Sequence, residues 1–282
     1  LDAGRSTVQD RRCLPAGGAV VAESGRCRCA RALVVCLTSV VVAAPFAAAQ
    51  DQGPPPRPSG TVRDFLFGQP RGSIAVRGSW VFARAGSDLF DFVTDQLTLE
   101  TNDFNAPAIA VEGGVAIGSR LEALGGFEFS RSTTPSEYRR FVDNNNLPIA
   151  QETSLSNIHV SGSLKVALVP RGTRLSRLAW VPRGFTPYVG AGAGAVHYRF
   201  RQNGDFVDFV DLSVFPDTFQ SKGWAPSAHV FGGADFQIYR LLFLQMEGRY
   251  LWSSGTLDTD FVDFDPIDLA GFRTTVGLSV LF

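Results

Sequence analysis

The stretch FRTTVGLSVLF, residues 272–282, decides the fold. Phe272, Thr274, Val276, Leu278, Val280 and Phe282 fall on one face of an extended chain, and Arg273, Thr275, Gly277, Ser279 and Leu281 on the other. Alternation with a period of two marks a strand lying between two unlike environments. A long apolar strand left at an open sheet edge would template aggregation. A sheet closed on itself within a bilayer has no edge. The expectation is therefore a membrane β-barrel, and the rest of the chain tests it.

The same alternation recurs seven times upstream. Ile74, Val76, Gly78, Trp80 and Phe82 oppose Arg77, and Ile109, Val111, Val115 and Ile117 oppose Glu112. Leu121, Ala123, Phe127 and Phe129 oppose Glu122 and Glu128, and Ile158, Val160, Leu164, Val166 and Leu168 oppose His159 and Lys165. In PYVGAGAGAVHYRF, residues 187–200, the reading sets Tyr188, Val196, Tyr198 and Phe200 outward, against Ala, His197 and Arg199. Ala228, Val230, Ala234, Phe236 and Ile238 oppose His229 and Asp235, and Leu242, Leu244, Met246, Tyr250 and Trp252 oppose Glu247 and Arg249. A tilted strand of about 9–11 residues crosses the hydrocarbon layer. Trp80, Phe82, Tyr188, Tyr198, Phe200, Tyr250, Trp252 and Phe282 sit near strand ends, where their rings would lie at headgroup level. The fold class is all-β: an eight-stranded, antiparallel, up-and-down transmembrane barrel over residues 72–282.

Composition agrees with a wall that is half apolar. The chain has 282 residues, 29 Gly, 23 Phe and a net charge of −1, with Lys only at positions 165 and 222. Near-neutral charge disfavours nucleic-acid binding. After residue 50 no run reaches the roughly 18 apolar residues of a membrane-spanning helix. Residues 1–49 read as an over-extended start followed by a signal peptide: Arg26, Arg28 and Arg31 precede the apolar run 32–44, and small residues Ala47 and Ala49 precede a cut before Gln50. Residues 50–71 read as a Pro-rich linker. Cys13, Cys27, Cys29 and Cys36 all lie in the removed part, so thiol catalysis and Cys-ligated zinc are excluded from the mature chain.

Connections alternate in length: long at 84–106, 131–154, 201–223 and 253–268, short at 119–120 and 239–240, and intermediate at 169–186. Short periplasmic turns and longer outer loops are the rule for outer-membrane barrels. The intermediate turn carries Arg171, Arg174, Arg177 and Arg183 around Trp180, which reads as an interfacial segment beside lipid phosphates.

The terminal TTVGLSVLF, the strand PYVGAGAGA and the strand MEGRYLW together resemble the small eight-stranded outer-membrane barrels of the OmpA and OmpX type, and more loosely the OmpW type. The resemblance implies the cell outer membrane of a Gram-negative-type bacterium, contact with outer-membrane lipid, and recognition by the barrel assembly machinery. In such barrels the terminal strand is an assembly signal, here Val276, Leu278, Val280 and Phe282. The resemblance does not carry a function, since such barrels include scaffolds, adhesins, narrow channels and lipid enzymes.

The inward face holds Glu112, Glu122, Glu128, Asp235 and Glu247 against Arg77, Lys165, Arg249 and Arg273. Mixed signs point to mutual ion pairs that plug the lumen, whereas a selective pore shows a ring of one sign; a narrow porin-like path is the alternative. His159, His197 and His229 are the three histidines of the chain, all read as inward on consecutive strands near the outer loops. Three imidazoles would suit Zn²⁺ or a pH-sensitive latch, and a set of polar lumen residues is the simpler reading. The loops repeat Phe-Val-Asp, at 141–143, 206–208, 209–211 and 261–263, with a related DLFDFVTDQ at 88–96. Alternating Phe and Asp reads as strands projecting beyond the membrane, or as a contact surface for an extracellular partner. No GxSxG or HExxH motif is present, and a charged lumen does not suit an acyl chain. The expectation is a non-enzymatic protein without a cofactor, with a lipid-modifying enzyme as the minor alternative.

Overall fold

A computed structural model describes residues 66–143, 145–176 and 179–282. The expected signal peptide, the expected Pro-rich linker up to residue 65, the four cysteines and Arg177 lie outside the described residues. Eight long strands form the wall: β1 (Gly72–Ala83), β2 (Ala106–Ala116), β3 (Leu121–Val142), β4 (Pro148–Ala167), β5 (Phe185–Val207), β6 (Val214–Gln237), β7 (Leu242–Gly255) and β8 (Gly271–Leu281). Each pairs antiparallel with the next, and β8 returns to β1 over eleven register pairs, from Gly271 opposite Ala83 to Leu281 opposite Ser73. The ring is closed. Phe282 completes the seam: its N–H donates to the Gly72 carbonyl (2.9 Å), and its carbonyl accepts from Gly72 N–H (2.8 Å).

The outward positions form a continuous apolar belt. Val76, Ile109, Val115, Leu164, Met246 and Leu278 are each about half exposed. So large an exposed apolar surface is unstable in water and stable in lipid.

One strand runs in the opposite phase from that read in the sequence. On β5, Tyr188, Val196, Tyr198 and Phe200 point inward and are buried, so they are not part of a lipid-facing aromatic girdle. Ala191, Ala193 and Ala195 face outward. The glycines between them face the lumen, where the Phe231 ring lies on Gly190 and the His229 ring on Gly192. Glycine has no side chain to reveal its face, and the bulk that fixes the phase comes from the neighbouring strand.

The wall is of unequal height. β3, β4, β5 and β6 have 20 to 24 residues, while β1, β2, β7 and β8 have 11 to 14. The stretches 131–154 and 201–223, read as loops, are mostly strand, and their turns shrink to 143–147 and 208–213. At the first turn Asp143 Oδ1 accepts from the N–H of Asn145 (2.8 Å) and Leu147 (2.7 Å). Those donors, that of Leu147 foremost, hold the Asp143 carboxyl below the usual carboxylate range.

The free edges of the tall hairpins are covered. Thr98 N–H donates to the Glu137 carbonyl (2.8 Å), and Arg139 donates to the carbonyls of Leu97 (2.5 Å) and Leu99 (3.0 Å) on the β3 side. On the β6 side, Gln220 and Lys222 N–H donate to the carboxylates of Asp260 and Asp258, both at 3.0 Å. Pro226, one residue beyond the last pair with β7 at Ser227, has no N–H to leave unsatisfied.

The long connections fold inward. Residues 88–96, read as alternating, form helix α1 (Asp88–Gln96), which buries Leu89, Phe90 and Val93. Together with Leu97, Leu99, Phe104, Phe261, Ile267 and Leu269 these pack on Leu155, Val196, Tyr198, Phe200 and Leu251 of the wall. An apolar plug thus fills the outer part of the barrel. At the opposite end, Leu66 and Phe67, within the expected linker, pair with Trp180 and Ala179 in a small sheet below the barrel.

Candidate functional site: the lumen and the outer end

Alternation brings all nine predicted lumen charges, Arg77, Glu112, Glu122, Glu128, Lys165, Asp235, Glu247, Arg249 and Arg273, onto the inward face, where each is buried. They meet as ion pairs. Arg77 reaches Glu112 (2.5 Å) and Glu247 (3.4 Å), and Arg249 reaches Glu247 (2.9 Å) and Glu112 (3.5 Å). Arg273 Nε donates to Glu128 Oε1 at 2.8 Å. Lys165 pairs with Asp235 (2.7 Å), stands 4.0 Å from Glu122, and lies over the Tyr188 ring. Neutral donors complete the shell: Ser73 to Glu122 (2.7 Å), Tyr188 to Glu247 (3.1 Å) and Gln245 to Asp235 (3.0 Å). Burial in low dielectric makes such pairing obligatory, because a lone buried ion carries a desolvation cost of several kcal/mol.

Arg171 is a member of this network that the sequence reading placed elsewhere. It lies in the turn after β4, turns into the barrel base and meets Glu122 Oε2 at 2.8 Å, so it is not at the lipid phosphates. The signal was the charge balance: five inward carboxylates faced four cations.

The three histidines do not form one cluster. His197 follows the reversed phase of β5 and faces outward, against the ring of Trp224 at 5.1 Å. His159 and His229 remain inside with their rings 5.6 Å apart, each bonded to a serine: His159 to Ser227 (3.1 Å) and His229 to Ser163 (2.8 Å). Among the described residues no three of His, Cys, Asp or Glu converge as metal ligands. The strands run well past the histidines, so the pair lies in mid-lumen. His229 is in register with Leu251, a wall residue beneath the apolar plug, and Phe231, the next inward residue, with Arg249 of the charge network.

Little space remains between these layers. The gap beside Glu122, Lys165 and Asp235 measures about 20 Å³, and one beside Arg273 and Asn157 is of the same size. Each holds at most a water molecule. A larger hollow, about 220 Å³, lies at the outer end among Phe92, Phe206, Phe209, Phe215, Phe219 and Phe264.

Val276, Leu278, Val280 and Phe282 all face outward along the seam with β1.

No family model matches the sequence, and no curated protein does. Among solved structures, the chain is similar to Neisserial surface protein A (13% identity, 74% of this chain and 97% of that one, TM-score 0.43). It is similar to Ail, the attachment invasion locus protein of Yersinia pestis (12%, 76% and 100%, TM-score 0.41). It is also similar to the outer membrane protein OprG of Pseudomonas aeruginosa (10%, 76% and 98%, TM-score 0.41). The closed eight-stranded ring, its lipid-facing belt, and short turns at one end against tall hairpins at the other make this chain a transmembrane β-barrel with the fold of the small outer-membrane barrels.

Proposed function

We propose that this protein is a closed outer-membrane barrel that acts through its outer end and does not conduct. The observation that carries this reading is closure at two levels: an ion-paired layer around Glu112, Glu122 and Glu247, and above it the apolar plug built on α1. A permeating ion would have to pass both layers, and mixed signs would trap an ion of either charge. What remains to the environment is the Phe- and Asp-rich crown of hairpins 131–154 and 201–223, which suits contact with an extracellular partner.

A non-catalytic role is part of the proposal. The Ser163–His229 and Ser227–His159 pairs are buried in mid-lumen, and among the described residues no carboxylate holds the second ring nitrogen of His229 in the way that orients a catalytic base. Planar-bilayer recordings of the full chain test the reading. The closed barrel is electrically silent, and deleting residues 86–99 leaves it silent because the charged layer still blocks the path. Discrete current steps from the intact protein would overturn the proposal in favour of a narrow channel.

A further inference from the structure

The 220 Å³ hollow at the outer end has the build of a binding site. Its floor is apolar and buried: Val93, Leu97, Phe206 and Phe261 are each at least nine-tenths buried. Its rim is open, with Phe92 and Phe209 about half exposed. Phe92 is held edge-on to Phe264 at 5.4 Å and Phe209 to Phe141 at 5.8 Å, so the rim rings are propped by neighbours. Gln96, Tyr138, Gln151, Gln202 and Asp260 interrupt the apolar lining, and one of them carries an orphaned polar atom. Gln151 on β4 is 5% exposed, lines the hollow, and its Oε1 has no hydrogen-bond partner among the described residues. A buried amide oxygen left so is costly unless something bonds to it.

Size, lining and the orphaned amide select a ligand class. A 150 Å³ apolar cavity accommodates benzene, so about 220 Å³ takes one aromatic ring with a small substituent. Edge-on phenylalanines favour a ring as occupant. The plug beneath, at Leu97 and Phe261, stops a long alkyl chain from threading deeper. A sugar would leave the apolar majority of the lining, which includes seven phenylalanines, unmatched, and the Asp260 carboxylate at the rim disfavours an anion. The geometry points to a small, neutral aromatic molecule with one hydroxyl or N–H, its ring among Phe206, Phe219 and Phe264 and its polar group on the Gln151 amide. A hydroxyl fits either face of that amide, since it both donates and accepts. This inference rests on the reading that the protein works through its outer end, and it names what that end receives.

The test uses the full chain in lipid nanodiscs with 4-fluorophenol and fluorobenzene as probes, followed by fluorine NMR. Intact protein binds 4-fluorophenol saturably, at or below about 1 mM, and more tightly than fluorobenzene. Gln151→Leu weakens 4-fluorophenol by about tenfold, the loss of one buried hydrogen bond, and leaves fluorobenzene unchanged. Val207→Trp, which fills the hollow, abolishes both, and folding of each variant is verified by its melting transition. Binding that Val207→Trp leaves intact, equal loss of both probes in Gln151→Leu, or no saturable binding in the intact protein would each overturn the site. Bilayer recordings on the same sample separate this failure from that of the parent reading: a silent barrel without binding loses the ligand, and a conducting one loses the closed lumen.

Discussion

Arg273 is 3% exposed, and its guanidinium meets Glu128 inside the buried lumen. Truncation to alanine removes the cation and strands the carboxylate. Arg273→Ala is therefore expected to lower stability by roughly 3–5 kcal/mol in urea unfolding, with no current appearing in bilayers. Replacing both partners by leucine should recover most of that loss, because the stranded charge goes too. At Gly192 the constraint is space. A methyl group there would come within 2.6 Å of His229 Nε2, so Gly192→Ala should cost roughly 1–3 kcal/mol. Ala193→Val, one residue along and facing lipid, should stay within about 0.5 kcal/mol. The charges were legible from the sequence because each sits in a strand whose alternating apolar residues declare its face. Arg171 and His197 were not, the first because a turn has no period and the second because a run of Gly and Ala leaves the phase open.

At the scale of elements, the strands were legible and helix α1 was not. DLFDFVTDQ reads as alternation because Phe and Asp recur, yet Leu89, Phe90, Val93 and Leu97 stand at the spacing of one helix face. Tertiary burial selects the helical reading, since only that face fits the apolar upper wall. Phe90 is the centre of the fit, 4.7 Å from the Phe104 ring and 6.1 Å from that of Phe200. Phe90→Ala is expected to raise amide exchange across 86–105 and 256–270 while the wall strands stay protected. Uniform loss of protection would mean instead that plug and barrel unfold as one unit.

For the whole molecule, ring closure follows from eight strands in one sheet, and the apolar belt follows from their shared phase. That much could be read because every outward aliphatic repeats the same statement. The inner stratification could not: inward apolar residues such as Leu155, Val196 and Leu251 alternate just as their neighbours do, and only the folded-in connections show what they contact. The belt predicts a depth-dependent penalty. Leu278 lies near the middle of β8 and faces lipid, so Leu278→Arg should cost roughly 2–4 kcal/mol in bilayer folding titrations.

The unequal wall gives the molecule a compass direction within the membrane plane. β6 has 24 residues, of which about 10 cross the hydrocarbon at a tilt near 45°, leaving a parapet that rises roughly 30 Å above it. The parapet spans half the circumference, from β3 to β6, and the other half stays low. A neighbour diffusing sideways in the membrane therefore meets a fence on one flank and an open sill on the other, so crowding would favour some azimuths of this barrel over others.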